Sequence, residues 1–127
     1  MKDTLNPNEW IVMNSLWEQN PLTLSEAIRQ IGSRVEWNYK TYQSYMNVLE
    51  KKGYIKSEKR GRDKFYSPAV SREECVERER ASLLGKLEGE SVKLLLASMV
   101  RESELEEEDY RELCALMEHR LSKEEQR

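Results

Sequence analysis

A chain of 127 residues has room for one compact domain, or for a domain of about 70 residues carrying an appendage too short to enclose a core of its own. Charged residues make up 35% and apolar ones 38%, at a net charge of −3, a composition suited to solvated helices. The longest apolar run, Leu94 to Val100, falls far short of the ~20 residues of a membrane span, the N-terminus lacks the basic and apolar regions of an export signal, and Cys75 and Cys114, far apart in helical patterns, read as two reduced thiols of a cytoplasmic protein.

The charge is divided along the chain. Residues 1–70 hold eleven Lys/Arg and eight Asp/Glu, net +3, whereas residues 71–127 hold ten and sixteen, net −6. A basic front attracts phosphate and an acidic back repels it, which suggests DNA at one end and protein contacts at the other.

The first helix is announced by Leu5-Asn6-Pro7-Asn8-Glu9-Trp10: Asn6 caps, Pro7 takes the first helical position, Glu9 reaches back and Leu5 packs on Trp10. Trp10, Met13, Leu16 and Trp17 continue the apolar stripe to about Gln19, as core rather than as a ligand pocket. Thr23 and Glu26 are in capping-box register for a second short helix with Leu24, Ala27, Ile28 and Ile31 on one face and a stop at Gly32. Residues 33–36 make the turn into a third helix, capped by Asn38 and ended by Gly53, with Trp37 and Tyr42 at the positions of a hydrophobic staple.

That third helix carries two faces. Tyr42, Tyr45, Met46 and Leu49 follow the spacing of a buried stripe. Lys40, Thr41, Ser44, Asn47 and Lys51 fall on the remaining surface, short polar groups and cations of the kind that approach base edges and phosphates in a major groove. Two strand-like runs then flank a Gly61-Arg62-Asp63 turn, with Lys56, Lys59, Arg60, Arg62 and Lys64 crowded near its tip as phosphate holders. Helix, helix, polar-faced helix and basic hairpin is the order of a winged helix-turn-helix. An ordinary solvated helix and hairpin is the bland reading; the pairing of the two elements favours DNA.

Beyond the wing, Ser71-Arg72-Glu73-Glu74 opens a fourth helix through about Leu87, with Val76, Leu83, Leu84 and Leu87 as its apolar positions. Gly89 breaks it. Val92, Leu95, Leu96, Met99 and Val100 mark a fifth, and the acidic run from Glu102 to Asp109 leads into a sixth with Tyr110, Leu113, Cys114, Met117 and Leu121 on one face. Three short helices with narrow stripes and no strand enclose little, so these faces should close on a second copy across a two-fold axis. The expectation is a mainly α protein: a winged-helix DNA-binding domain over residues 1–70 and a helical dimerisation region over 71–127.

Catalysis and metal binding find no support in the motifs. His119 is the only histidine and has no glycine-rich elbow near it; Cys114 lies five residues before it, a poor spacing for a shared helical face, and no paired cysteine motif or phosphate-binding glycine loop occurs. The acids Glu106-Glu107-Glu108 read as a solvated helix start. No enzyme, cofactor or metal is expected.

The pieces Leu5 to Trp17 (LNPNEWIVMNSLW), Lys40 to Ile55 (KTYQSYMNVLEKKGYI), Phe65 to Pro68 (FYSP) and Leu94 to Val100 (LLLASMV) resemble the penicillinase and methicillin-resistance repressors of bacteria over nearly the whole chain. The resemblance implies a homodimeric winged-helix repressor on a dyad operator before resistance genes, released when a membrane sensor of β-lactams triggers cleavage in the dimerisation region. It puts the scissile bond at Ser98-Met99. The chain departs from the family pattern at Gln43, Ser44 and Val48, where the family usually carries Arg or Lys, Thr and Arg. It also lacks the paired Cys-x-Cys motifs of copper-responsive relatives. A winged-helix module binding a partner protein, or a repressor of an unrelated transport or resistance system released by a ligand, are the competing readings.

Overall fold

The structure, a computed structural model, describes residues 4–126. Its first compact unit runs through Lys86 and its second from Leu87 onward.

Each helix of the first unit begins where a side chain satisfies amides that the helix itself cannot. Asn6 accepts from the amide of Glu9 at 2.8 Å while Glu9 accepts from that of Asn6 at 3.0 Å, which starts α1 at Pro7 and carries it to Glu18. Thr23 and Glu26 do the same for α2, Leu24–Ile31. Its end is closed by Gly32, at a φ of 58° that suits glycine, and by Arg34, whose guanidinium donates to the carbonyls of Ile31 and Gln30. Asn38 accepts from the Thr41 amide at 2.9 Å and opens α3, Tyr39–Lys51.

The strands β1, Ile55–Arg60, and β2, Asp63–Pro68, pair antiparallel with Ile55 opposite Pro68 and Arg60 opposite Asp63. Asp63 therefore belongs to the ladder, leaving only Gly61 and Arg62 in the turn, with positive φ at Gly61 (66°) as the first position of a tight hairpin turn requires. A third short segment joins this sheet: Leu22 and Tyr66 exchange backbone hydrogen bonds at 2.9 and 2.7 Å, tying the hairpin's base to the loop before α2. The fold is that of a winged helix, mainly helical with one small sheet.

Val12, Met13 and Leu16 of α1, Ala27 and Ile31 of α2, Tyr42, Met46 and Leu49 of α3, and Ile55 and Tyr66 of the hairpin form one core. Ser15 sits inside it on α1, fully buried, and its hydroxyl has no hydrogen-bond partner. Burying an unpartnered hydroxyl costs stability, whereas a methyl of nearly the same size costs none, and alanine is the better helix former. Ser15→Ala should therefore raise the unfolding free energy by about 1 kcal/mol; chemical denaturation reads it, and a destabilised variant would mean the hydroxyl is satisfied.

The helix α4, Arg72–Leu84, opens on the Ser71/Glu74 capping box. It packs on the winged-helix core, so that unit continues beyond residue 70. Cys75 is the anchor, 3% exposed, and burial pushes its thiol pKa up. Around it, the Trp10 indole donates to Glu79 at 3.2 Å and the Trp17 indole to the Val70 carbonyl at 3.0 Å. Arg72 pairs with Glu18 at 2.9 Å while lying over the Trp17 ring, and Arg78 lies over Tyr54. The inward face is thus Cys75 with Arg78 and Glu79, three and four residues on. The apolar positions read from the sequence point elsewhere: Val76, Leu83 and Leu84 are exposed, and Leu87 lies beyond the end of the helix.

In the second unit, α5, Glu90–Glu102, and α6, Glu107–Glu125, bury no residue. Gly89, at φ 55°, precedes the first of them. The Tyr110 hydroxyl donates to the Ser103 carbonyl at 2.7 Å and fastens the start of α6 to the end of α5. Leu96, Met99, Leu113, Met117 and Leu121, expected as interface positions, are 40–64% exposed, and Val92 and Leu95 are half-buried. Neighbouring Leu94, Val100 and Leu116 are exposed as well.

Candidate nucleic-acid interface

The orientation of α3 is fixed from both ends. Trp37 stands edge-on to Tyr42 at 5.1 Å between ring centroids and tilted against Tyr45 at 4.8 Å, and the Tyr45 hydroxyl accepts from the Asn8 amide at 2.9 Å. Just past the C-terminal end of the helix, Lys52 reaches Glu9 at 2.9 Å. Glu9 is almost fully buried, with one oxygen on the Asn6 amide and the other on Lys52. The carboxylate that caps α1 therefore also holds α3.

With Tyr42, Met46 and Leu49 turned inward, helical geometry turns Lys40, Ser44, Asn47 and Lys51 directly outward, at spacings of four, three and four residues. All four are exposed. Thr41 differs: it is half-buried, and its hydroxyl donates to the capping Asn38 at 3.1 Å. Three residues that the sequence reading did not assign join the outward surface, Tyr39, Gln43 and Val48, with Val48 43% exposed. Spacing alone places Gln43 three residues after Lys40 and Val48 four after Ser44; residue type concealed them, because neither is a cation or a short hydroxyl.

The hairpin divides its cations by strand parity. Lys59 and Lys64 are directly opposed and share the face of Ser57 and Tyr66, whereas Lys56 and Arg60 share the other face with Phe65. Like charges directly opposed destabilise a sheet. Here Lys64 is drawn to Glu50 of α3 at 3.1 Å and lies over the Tyr66 ring, and that hydrogen bond raises its pKa. Arg60 leans on Phe65, 5.1 Å from the ring centroid, and pairs with Glu58 at 3.4 Å. Lys56, Lys59 and Arg62 are exposed, Arg62 at the tip of the turn.

Between the first turn of α2, the N-terminal half of α3 and the distal half of the hairpin lies an open groove of ≈ 550 Å³ bordered by Thr23, Ser25, Arg29, Tyr39, Gln43, Arg62 and Lys64. Arg29, Arg62 and Lys64 on its border suit a phosphate backbone, although the acids Glu26 and Asp63 line it as well. The outward row of α3 offers amides for adenine edges, a lysine for guanine and the Val48 methyls for thymine.

A family model described as penicillinase repressor matches residues 5–119. The chain belongs to the penicillinase repressor family. A penicillinase repressor of Bacillus licheniformis is 25% identical over 115 residues, 90% of each chain, and one of Staphylococcus aureus is 29% identical over 105 residues, 83% of each. The solution structure of the monomeric form of Bacillus licheniformis BlaI in complex with the blaP half-operator matches 57% of this chain and 88% of that one, at 26% identity and a TM-score of 0.50. This member of the penicillinase repressor family is a DNA-binding transcriptional repressor and not an enzyme.

The segment that the family resemblance marks for cleavage lies within α5. The Ser98 hydroxyl donates to the Leu95 carbonyl at 3.2 Å and the Met99 carbonyl accepts from the Ser103 amide at 2.9 Å. The bond between them is part of a closed helical turn. Among the described residues no helix is long and apolar enough to cross a membrane.

Proposed function

We propose that this repressor acts in the cytoplasm as a homodimer on a dyad operator, each copy reading one half-site. Lys40, Gln43, Ser44, Asn47 and Val48 face base edges, and Lys51, Lys56, Lys59, Arg60 and Arg62 face phosphate. Thr41 contributes through the cap that sets the first turn of α3, and Lys64 through the wing. The observation that carries the reading is the outward row Lys40, Ser44, Asn47 and Lys51, a polar and cationic surface on a helix whose opposite side is wholly committed to the core.

Dimerisation falls to α5 and α6, and the apolar positions Leu83 and Leu84 of α4 and Leu87 are assigned to it as well. Two helices that bury none of their own apolar residues gain most by covering one another's stripes on a second copy. The names of the relatives support β-lactam resistance genes as the targets, and the family resemblance supports release by a protease acting on Ser98-Met99 once the sensor is engaged. A protease needs an extended strand, so α5 must open locally before it is cut.

Two measurements test this reading. A gel shift against the DNA upstream of the protein's own gene should give a discrete complex that survives nonspecific competitor; its absence even at low salt would leave a protein-interaction module instead. Mass spectrometry of the protein from β-lactam-treated cells should find fragments ending at Ser98. An intact chain in cells whose target gene has been switched on would point to a ligand-released repressor.

A further inference from the structure

Both strands of the wing are tied to the recognition helix through one carboxylate. Glu50, the only acid in α3, is half-buried. One of its oxygens accepts the hydroxyl of Ser57 from β1, and the other accepts from Lys64 of β2 at 3.1 Å. Ser57 and Lys64 do not face each other across the ladder; Ser57 is paired with Tyr66 and Lys64 with Lys59. The carboxylate therefore bridges the hairpin along a diagonal. The Leu22–Tyr66 backbone pair fixes the hairpin's base, and Lys64 lies two residues nearer the tip.

We propose that Glu50 is the positioning residue that sets the wing against the recognition helix, so that the tip carrying Arg62 meets the DNA backbone at a fixed offset from the bases that α3 reads. This rests on the reading of the wing as a phosphate-holding element. An acid on a DNA-facing helix repels phosphate by itself; held by Ser57 and Lys64, it becomes a latch. The Ser57 hydrogen bond, followed by Lys64, lowers the Glu50 pKa, so the latch keeps its charge into mildly acidic solution. Ser57, Lys64 and Tyr66 are the groups of the hairpin on this face that contact Glu50 or its partner.

The sign of the effect separates a latch from a solvated acid. Glu50→Ala removes a negative charge, and if Glu50 were an ordinary surface acid every DNA would be bound more tightly. With the latch, the variant of the full-length protein should bind its operator about three- to thirtyfold more weakly, with a salt dependence shallower by about one phosphate contact per head. Hydroxyl-radical footprinting should show protection lost at the flanking backbone, while guanine methylation protection in the major groove persists. Glu50→Gln, which keeps an acceptor for Ser57, should recover part of the flanking protection, and Ser57→Ala should lose part of it.

Arg62→Ala tests the underlying reading separately. If it erases the flanking protection while Glu50→Ala leaves that protection intact or tightens binding, the wing holds DNA and the latch is wrong. If Arg62→Ala leaves the flank protected, the wing reading falls and the latch with it. A Glu50→Ala protein that loses flank and major-groove protections together, with a lowered melting temperature, would make Glu50 a general stability residue and overturn the proposal.

Discussion

Cut after Lys86, the chain should fold, sediment as a monomer and bind its operator more weakly by a factor of about 10²–10⁴, close to the affinity of one head for one half-site. Folding is expected because, among the described residues, every buried apolar one, from Leu5 to Cys75, lies in the retained part. The loss of affinity follows from tethering: once one head of a dimer is bound, its linker presents the second to the other half-site at an effective concentration of about millimolar, and the monomer has no such advantage. Half-sites spaced about one helical turn, ~34 Å, or a multiple of it are what two such heads can reach together. The cut belongs after α4 rather than at Val70, because removing α4 takes the buried Cys75 out of the core and strips Trp10 of Glu79 and Trp17 of Arg72. Analytical ultracentrifugation and titration against full and half operators measure both effects. A dimeric 1–86 fragment, or a full-length chain that is monomeric at micromolar concentration, would move the interface away from α5 and α6.

The parts of this architecture visible in the sequence are those whose physics is local. Asn6 with Glu9, Thr23 with Glu26 and Ser71 with Glu74 satisfy each other's amides across three residues, so a reader needs only that spacing to place the starts of α1, α2 and α4. The outward row of α3 is legible for the same reason, since the buried positions Tyr42, Met46 and Leu49 determine where Lys40, Ser44, Asn47 and Lys51 must point. What escaped depends on partners distant in the chain. The pairing of Leu22 with Tyr66, the docking of α4 through Cys75 and two indole donors, and the capture of Lys64 by Glu50 leave no periodic trace. The end of the first unit was obscured in this way: Pro68 closes the wing, and the polar surface of α4 resembles a new beginning, although its Arg and Glu side chains cover the tryptophans of α1. Thr41 shows the converse, a residue of suitable type whose hydroxyl the helix cap already engages.

Substitutions on α3 and at the wing tip should differ in kind. Asn47→Ala removes an amide able to donate and accept against one adenine edge, and Lys40→Ala removes a cation able to donate to guanine; each should cost about 1–3 kcal/mol on the correct half-site and little on unrelated DNA. In a dimer each substitution is made twice, so the loss on the full operator should approach double that on a half-site wherever the two heads act independently. Arg62→Ala, at the tip of a turn that presents its side chain to solvent, removes a phosphate contact and should weaken all DNA alike while reducing the salt dependence by about 1 per head. Val48→Ala adds a control free of charge: its exposed methyls are suited to a thymine methyl, so its loss should relax preference at one position without changing the salt dependence. Neither Lys40 nor Asn47 belongs to the core or holds a cap, so their variants should melt with the parent protein, which separates lost contacts from lost structure. Binding measured on operator and scrambled DNA at two salt concentrations distinguishes all four. If Asn47→Ala and Lys40→Ala reduced operator and scrambled binding equally, α3 would lie along the backbone instead of reading bases, and sequence preference would have to come from the groove beside the wing.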